Sequence, residues 1–544
     1  MKLLILSDGN PDEIKRYYCD PLGVTDYQIV KIWKYKKKTP VTDIKTCLQE
    51  QVYPKILTYA PNYVLVADGE YFKVMAKVTK PDAYIGYFFG DTFKFLYAPS
   101  YKQIFYHPEE TKEKITRALD SIKASEQGKY CSPGSNIIKD EYYPSTVKDI
   151  AVLLKSLANR PILTCDIETY SLKHVDAGLG SICFCWDKHS GCAFKIDKSS
   201  DSKNQEVRDL LKEFFINYKG TLIFHNIAFD VTVLIYQLFM KDVLDQEGLL
   251  NGLDIMLKNW EDTKLMTYLC TNSCSGNNLG LKYQAQAYAG NWAQDEISNI
   301  DKIPEEDLLR YNLIDGLSTW FVYEKYKDTL VAEKQDKLYR EIFKPTTKDI
   351  IQMQLTGIPL NYDKVLEAEQ KLNDDKNQAL SVITANKYVI KFKEVLNQEA
   401  VDKYNSTHKK QITLADVDES FNPNSGIQIK KLLYDLIKLP VINLTESKQP
   451  ATDGDTLKAL LNHTTDKDVL GLLQALIDYS AVEKILSAFI PTFKKATPAS
   501  DGRRYIYGNF NLGGTVSGRL SSSKPNLQQI PATGSKYAKL IKSC

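Results

Sequence analysis

The chain has 544 residues, of which 43% are hydrophobic and 25% are charged. This composition is ordinary for a folded globular protein, and it excludes a collagen-like, fibrous or wholly disordered chain. At roughly 150 residues per domain, the length predicts three or four domains. No apolar run reaches the ~18 residues that a membrane-spanning helix needs. The first residues indicate a buried strand rather than a signal peptide, so we expect an intracellular protein with no membrane partner.

The net charge of +2 is an average over 70 basic and 68 acidic residues. Residues 491–544 contain nine lysines and arginines but a single acid, Asp501, so this segment carries +8 and the rest of the chain −6. A concentrated basic end on an acidic body predicts contact with a polyanion. A solvated or disordered tail is the alternative.

The ten cysteines are scattered along a chain that lacks a signal peptide, which predicts reduced thiols. Cys183 and Cys185 alternate with apolar residues in a predicted strand, where cysteine behaves as a small hydrophobic side chain. Neither this pair nor Cys270 with Cys274 has the two-residue spacing of a zinc knuckle. We therefore expect no zinc site.

Residues 1–140 alternate strand-like and helical stretches and predict a small α/β domain of unknown role. Strands are expected at residues 3–6, 63–66 and 93–97, a helix at residues 112–122, and a linker at residues 128–135. The lysine run at residues 36–38 either contacts phosphate or lies in a solvated loop.

Residues 141–337 predict an α/β domain with strands first and helices closing over their acidic ends. The expected strands are 161–168, 180–186, 192–196 and 221–225, with a hairpin turn at residues 189–191. The expected helices are 207–218, 229–240, 262–269 and 308–326. Residues 338–544 change to helical patterns with few strands and form the third predicted domain.

Three acidic clusters fall inside the middle domain. The first is Asp166 and Glu168 at the end of a buried strand, where residues two apart point to the same face. Two like charges side by side are costly unless a cation joins them. Oxygen ligands of this kind suit Mg²⁺ or Mn²⁺.

The second cluster runs from His225 to Asp230 and contains Asn226. A helix is expected to start near Ala228, so the helix dipole alone could favour Asp230, and Asn226 could cap the helix with its side chain. The third cluster pairs Tyr311 with Asp315. Their four-residue spacing puts both on one helical face, and apolar neighbours predict a partly buried Asp315 rather than a surface one.

Taken in order, these clusters resemble the three motifs of DEDD-type 3′–5′ exonucleases, which have an RNase H-like fold. The tyrosine in the third motif is that of the proofreading domains of DNA polymerases. The resemblance implies two divalent ions, Mg²⁺ or Mn²⁺. It implies that Asp166, Glu168 and Asp315 bind the ion that carries the attacking water, and that Asp166 bridges to the second ion. Asp230 then supports the site and Tyr311 orients the water.

The same resemblance implies contacts with a single-stranded 3′ end. Leu172 matches a position that wedges against the terminal base. Asn226 and Phe229 line the cleft in which bases stack. Thr169, next to Glu168, is also expected to contact DNA.

Residues 508–531 combine bases, hydroxyls, amides and glycines, a mixture that suits phosphate and sugar contacts. The string resembles the signature of family A DNA polymerases, the polymerase I family and its phage relatives, which contacts the primer–template duplex. The residues implied to contact DNA are Thr515, Arg519, Ser521, Lys524, Asn526, Gln528 and Gln529. Residues 355–361 and 421–428 resemble further parts of the same family.

Two departures from the family pattern concern basic residues. Ser480 stands where the thumb usually has an arginine. Residues 532–535 lack the arginine that usually contacts the primer end, and the nearest base is Lys536.

No acid lies between Arg519 and Cys544, whereas the family needs two palm aspartates after the signature. We therefore expect the exonuclease and thumb part of a family A DNA polymerase that acts in replication, in the host cytoplasm if it is viral. We expect polymerisation to require a palm and fingers from elsewhere, and the sequence leaves truncation, a split polymerase and an intein junction open as explanations. Expected partners are DNA and, in addition, a palm–fingers chain or a processivity factor. The alternatives are a stand-alone 3′–5′ DNA exonuclease and a non-catalytic DNA-binding subunit of a split polymerase.

Overall fold

The computed structural model describes residues 1–35, 38–197, 204–271, 278–292, 299–408, 410–445 and 447–544. Packing divides the chain into two units, Met1–Leu355 with Leu512–Leu520 and Thr356–Asn511 with Ser521–Cys544. The predicted boundaries at 140/141 and 337/338 both fall inside the first unit and stay predictions. Within the described ranges, no helix is both long enough and apolar enough to cross a membrane.

The first unit opens with a four-stranded parallel sheet in the order β2-β1-β3-β4. Its strands are β1 (Leu3–Ser7), β2 (Tyr27–Lys31), β3 (Tyr63–Val66) and β4 (Lys94–Tyr97). Its helices are α1 (Pro11–Ile14), α2 (Val41–Cys47), α3 (Tyr53–Tyr59), α4 (Gly69–Ala76) and α5 (Pro108–Glu126). Every residue of β1 and β3 is buried, as the continuous apolar runs of a doubly covered parallel sheet require.

A six-stranded mixed sheet follows in the order β10-β9-β6-β7-β8-β5. Its strands are β5 (Asp140–Tyr142), β6 (Ile162–Glu168), β7 (Ser181–Cys185), β8 (Ser190–Lys195), β9 (Thr221–Phe224) and β10 (Trp260–Asp262). β7 runs antiparallel to both β6 and β8, whereas β6, β9 and β10 are parallel. The hairpin turn precedes its predicted place, because β8 already begins at Ser190 and Gly191 pairs with Cys185 of β7.

Ten helices of the described ranges accompany this sheet. They are α6 (Val147–Leu157), α7 (Gln205–Asn217), α8 (Ile227–Leu238), α9 (Gln246–Met256), α10 (Thr263–Cys270), α11 (Leu281–Gln284), α12 (Gln286–Ala289), α13 (Glu305–Ala332), α14 (Asp336–Leu338) and α15 (Lys344–Thr356). The predicted helices are all present. The predicted α/β fold of this region is confirmed.

Helix α13 packs closely on β6, β7 and β8, and Gly316 makes this approach possible. A Cβ atom at Gly316 would lie 2.6 Å from Cys183 Sγ and 2.8 Å from Cys185 Sγ. Both cysteines are fully buried under the helix, as expected of small hydrophobic residues; Cys274 lies outside the described residues. Thr164 Oγ1 of β6 donates a 2.9 Å hydrogen bond to the Gly316 carbonyl, which fixes the helix against the strand.

The second unit is mainly helical, as predicted. Its helices are α16 (Tyr362–Ala385), α17 (Lys387–Thr407), α18 (Gly426–Lys430), α19 (Gly454–Leu460), α20 (Lys467–Ala488), α21 (Ile490–Lys494) and α22 (Ala538–Lys542). Its strands are β11 (Ile358–Leu360), β12 (Thr497–Pro498), β13 (Arg504–Ile506), β14 (Asn509–Asn511) and β15 (Ser521–Ser523). α16 and α20 pack through buried residues that include Leu372 and Val482.

Candidate metal centre and nucleic-acid surfaces

Three carboxylates from two separate elements meet at one end of the mixed sheet. Asp166 and Glu168 project from the last residues of β6, and Asp315 projects from α13 where that helix crosses the sheet. One oxygen from each lies within 4.8 Å of the other two. The strand period of two residues and the packing of α13 therefore bring together three residues that the sequence placed in two motifs.

The electrostatics of this cluster are unfavourable without a cation. Burial, together with the neighbouring charges of Asp230, Asp315 and Glu168, raises the pKa of Asp166 well above its ordinary value. Burial and the Asp315 charge raise the pKa of Glu168 to about 8. Burial also raises the pKa of Asp315 to about 6, although the Lys282 ammonium lowers it in part. The fold thus holds several carboxylates where their mutual repulsion opposes ionisation.

Asn312 is a site residue that the sequence analysis missed. Its side chain is fully buried. Its Nδ2 donates a 2.8 Å hydrogen bond to Asp166 Oδ2, and its Oδ1 accepts a 3.1 Å bond from Ser181 Oγ. Asn312 therefore ties the Asp166 carboxylate to β7. The signal was present, because Asn312 lies three residues before Asp315 on the same helical face.

Asp230 lies beside the cluster but outside the group of three carboxylates. It is 4% exposed, and its Oδ1 accepts a 3.3 Å hydrogen bond from the backbone N–H of Ile167, the residue between Asp166 and Glu168. Burial raises its pKa well above the ordinary value, with added repulsion from Asp262 and Asp315. This position fits the supporting role that the family resemblance implies.

The turn before α8 is organised by Asp262. Its carboxylate accepts hydrogen bonds from the backbone N–H groups of Asn226 at 3.1 Å and Ile227 at 3.0 Å. Asn226 adopts a left-handed conformation, with φ of 73°, and makes no side-chain cap. The capping interpretation is therefore wrong: Asn226 Oδ1 instead accepts a 3.0 Å hydrogen bond from Lys264 Nζ.

Lys282 is a second residue that the sequence analysis missed. Its Nζ lies 4.0 Å from Asp315 Oδ2 and 4.1 Å from the centre of the Tyr311 ring. The ammonium therefore partly offsets the carboxylate charges and holds the phenol ring through a cation–π contact. No helical periodicity relates Lys282 to the acids, so the sequence offered no pattern that would have found it.

The residues predicted to contact a single strand lie around this centre with different exposures. Leu172 is 68% exposed, as a wedge against a base would need. Phe229 is half-buried and packs against the core, and Tyr311 is also half-buried. Thr169 donates a 3.0 Å hydrogen bond from its hydroxyl to the Ser171 carbonyl, which shapes the turn before Leu172. The DNA contacts of these residues stay predictions.

The signature residues near the carboxyl end lie in both units. Within the first unit, the Thr515 hydroxyl donates a 2.7 Å hydrogen bond to the Arg519 carbonyl, and the Arg519 side chain is exposed. Within the second, Ser521 and Asn526 are half-buried, whereas Lys524, Gln528 and Gln529 are exposed. Lys536, the base nearest to the missing arginine, forms a 2.8 Å ion pair with Asp478 of α20.

The chemistry of the three carboxylates fits a divalent cation. All donor atoms are oxygens, which hard cations such as Mg²⁺ and Mn²⁺ prefer. Asp315 Oδ1 is buried and forms no hydrogen bond of normal length, and the Trp292 side chain lies near the Asp315 carboxylate. The raised pKa values have the same implication, because a cation removes the repulsion that causes them.

Comparisons with known proteins agree with this site. Residues 143–325 match the 3′–5′ exonuclease family, and residues 391–544 match DNA polymerase family A. The DNA polymerase of Escherichia phage T5 is 26% identical over 430 residues, which cover 74% of this chain and 44% of that protein. DNA polymerase I of Geobacillus stearothermophilus is 24% identical over 230 residues, 42% of this chain and 22% of that one.

Among solved structures, the chain is similar to the POL domain of Pol1 from M. smegmatis in complex with DNA primer-template and dNTP. The TM-score is 0.50 at 17% identity, over 74% of this chain and 57% of that chain. The fold and site thus define a 3′–5′ exonuclease domain that is followed by polymerase sequence. The chain therefore combines a region similar to 3′–5′ exonucleases with a region similar to family A DNA polymerases, and it spans less than half the length of the curated relatives named above.

Proposed function

We propose that this chain removes nucleotides from the 3′ end of DNA with the help of two divalent ions, most simply Mg²⁺. In this proposal it forms the exonuclease and thumb part of an intracellular family A DNA polymerase. The convergence of Asp166, Glu168 and Asp315 within 4.8 Å carries the proposal. Such an arrangement has no structural benefit by itself, because it concentrates negative charge that the fold must tolerate.

Asp166, Glu168 and Asp315 would hold the ions, with Asp230 in support. When bound, the ions would supply Lewis-acid activation of a water and charge stabilisation at the phosphodiester. The protein's own part is geometric. Asn312 fixes the orientation of the Asp166 carboxylate, as residues behind a metal ligand commonly do.

Tyr311 would orient the attacking water, and Lys282 would hold the Tyr311 ring in place. Tyr311 is held by the Lys282 ammonium, which leaves its hydroxyl to orient the attacking water. Leu172 and Phe229 would hold the terminal bases by apolar contact and stacking, which are tolerant of sequence. This tolerance suits an enzyme that degrades any 3′ end.

The test uses a 5′-labelled single-stranded oligonucleotide and the purified chain. We expect a ladder of products shortened from the 3′ end in Mg²⁺ and none in EDTA. Asp166→Asn should lower the rate by at least about 100-fold, the low end for a positioned catalytic group. Glu206→Gln, at an exposed position of α7, should keep full activity. Equal activity of Asp166→Asn and the parent protein, in preparations free of other nucleases, would refute the proposal.

We further propose that the signature residues bind duplex DNA. Arg519, Lys524 and Gln528 are exposed and offer the donors that phosphate contacts need. Replacing Lys524 by alanine should weaken binding of a primer–template duplex and reduce the salt dependence of that binding by about one ion. An unchanged salt dependence would exclude Lys524 from the contact.

A further inference from the structure

The N-terminal sheet has the topology of a ligand-binding fold, although neither family match reaches it. In the order β2-β1-β3-β4, β1 connects to β2 on one side of the sheet and β3 connects to β4 on the other, so the order switches between β1 and β3. Open parallel sheets bind ligands outside the carboxyl ends of their strands near such a point. The loops to inspect are therefore those that follow β1, β2 and β3.

A cleft of about 560 Å³ lies at the carboxyl ends of β1 and β2, beside this switch. It is lined by Asp8, which follows β1, by Gln51, and by the segment Lys31, Ile32, Trp33, Lys34 and Tyr35, which ends and follows β2. The segment alternates basic and aromatic side chains. The sequence continues with the lysine run at residues 36–38, of which only Lys38 lies among the described residues.

The segment that carries the aromatic residues of the cleft is fixed by hydrogen bonds to a buried tyrosine. The hydroxyl of Tyr71, a fully buried residue of α4, accepts a 3.0 Å hydrogen bond from the Trp33 N–H and donates one of 3.0 Å to the Trp33 carbonyl. This double contact fixes the backbone of the segment and leaves Trp33 half-buried. Tyr35, two residues on, is 52% exposed. The backbone at Trp33 is thus held in place, and the Tyr35 ring is largely exposed.

The charged side chains around the cleft are also held by specific contacts. Asp68 caps α4 through its Oδ1 and holds the Lys34 ammonium through its Oδ2. Asp8 is paired with Lys102, at 2.7 Å. Asp8 and Asp68 are therefore each paired with a lysine, whereas the Asp43 carboxylate lies next to the Tyr35 hydroxyl. Lys31 is exposed and adds a positive charge at the edge of the cleft.

We propose that this cleft binds single-stranded DNA, with Trp33 and Tyr35 stacking on bases and Lys31 facing a phosphate. Interleaved aromatic and basic side chains are the means by which proteins bind single strands without reading their sequence. The site is separate from the exonuclease centre, and it would hold a strand on the N-terminal domain.

The test measures binding of a labelled oligothymidylate of about 12 nucleotides, a typical site size, to the full chain in EDTA. Tyr35→Ala should raise the Kd about 5-fold or more, as loss of one stacked base does. Lys31→Glu should weaken binding and reduce its salt dependence. The matched controls are Tyr106→Ala, an exposed tyrosine, and Lys55→Glu, an exposed lysine, in the same domain.

A second measurement locates the strand. An oligonucleotide carrying 5-iodouracil should crosslink to Trp33 or Tyr35 on irradiation. Hydrolysis of a trinucleotide in Mg²⁺ should proceed at the same rate in Tyr35→Ala and the parent protein. If neither protein hydrolyses it, that result contradicts the proposed exonuclease function and leaves the proposal for the cleft unaffected. Parental affinity of both cleft variants, with crosslinks confined to residues outside 31–35, would overturn the proposal.

Discussion

Replacing Glu168 by glutamine should stabilise the metal-free protein while it abolishes metal binding. The Glu168 carboxyl lies against Asp166 and Asp315, and burial with the Asp315 charge raises its pKa to about 8 from an ordinary value of 4.5. The folded state therefore keeps a proton that the unfolded state releases. Stability falls as pH rises from about 4.5 to about 8, and stays low above that range.

The magnitude follows from the pKa difference. At about 1.4 kcal/mol per pKa unit, the penalty reaches about 5 kcal/mol above pH 8 and about 3 kcal/mol at pH 7. These are upper values, since Glu168 is only half-buried and solvent screens part of the charge. Glutamine resembles the protonated acid and avoids the penalty. The first unit comprises 355 residues of Met1–Leu355 and nine of Leu512–Leu520. At about 2.1 cal/mol/K per residue, 3 kcal/mol then corresponds to a rise in Tm of about 4 °C.

Scanning calorimetry of the full chain in EDTA, at several pH values between 5 and 9, tests this prediction. The transition of the first unit should rise in Glu168→Gln relative to the parent, by more at high pH than at low pH. Adding Mg²⁺ should raise the Tm of the parent and leave the variant nearly unchanged. Glu213→Gln, an exposed position on α7, is the control. A variant that melts with the parent in EDTA across the whole range would refute the electrostatic reasoning.

Three further predictions concern the surroundings of the acids. Asn312→Ala should raise the Mg²⁺ concentration needed for half-maximal exonuclease activity about 10- to 100-fold, as loss of a residue behind a metal ligand commonly does; an unchanged Mg²⁺ titration would contradict this. Lys282→Met should lower the Tm in EDTA at pH 8, because it removes a positive charge from the acids, and should tighten Mg²⁺ binding measured by calorimetry; weaker binding would be the opposite of our expectation. Gly316→Ala should lower the free energy of unfolding by about 1–3 kcal/mol, because its Cβ would overpack against Cys183. Gly471→Ala in α20 has open space around it and should raise the free energy of unfolding by about 0.5–1 kcal/mol. Urea unfolding measures both changes.

The local part of the metal centre could be predicted from the sequence because local periodicity determines it. A strand places Asp166 and Glu168 on one face, and a helix places Tyr311 and Asp315 on one face. The order of the motifs along the chain resembles that of a known family, and this resemblance predicted that the two pairs form one site. The interpretation of Asn226 as a side-chain cap was wrong, because it considered only the residues next to it in sequence. Its backbone is fixed by Asp262, a residue distant in sequence, and no pattern near Asn226 reveals such a contact.

The part that could not be predicted depends on which strands become neighbours. Lys282 contacts Asp315 only because its segment folds back over α13. The N-terminal cleft is a similar case, since Asp8 and Trp33 come together only when β1 and β2 pair in parallel. Strand order is a non-local property, and residues 1–140 offered no family resemblance to supply it. The alternation of lysine and aromatic residues was visible, but its position at the carboxyl edge was not.

A centre that concentrates negative charge needs a rigid surrounding structure. Here that structure, which we call the frame, consists of packing contacts between α13 and β6, made by residues outside the group of carboxylates. Thr164 bonds the backbone of α13 to β6, and Gly316 removes the side chain that would keep them apart. If the frame relaxed, the carboxylates would separate and their repulsion would fall, so the metal-free protein gains by loosening. A bound cation reverses this preference, because it is stabilised most when the oxygens are close. Metal binding should therefore tighten the contact between α13 and β6. Slower hydrogen exchange of the β6 backbone in Mg²⁺ than in EDTA would show this tightening, and equal exchange would mean that the frame alone fixes the geometry.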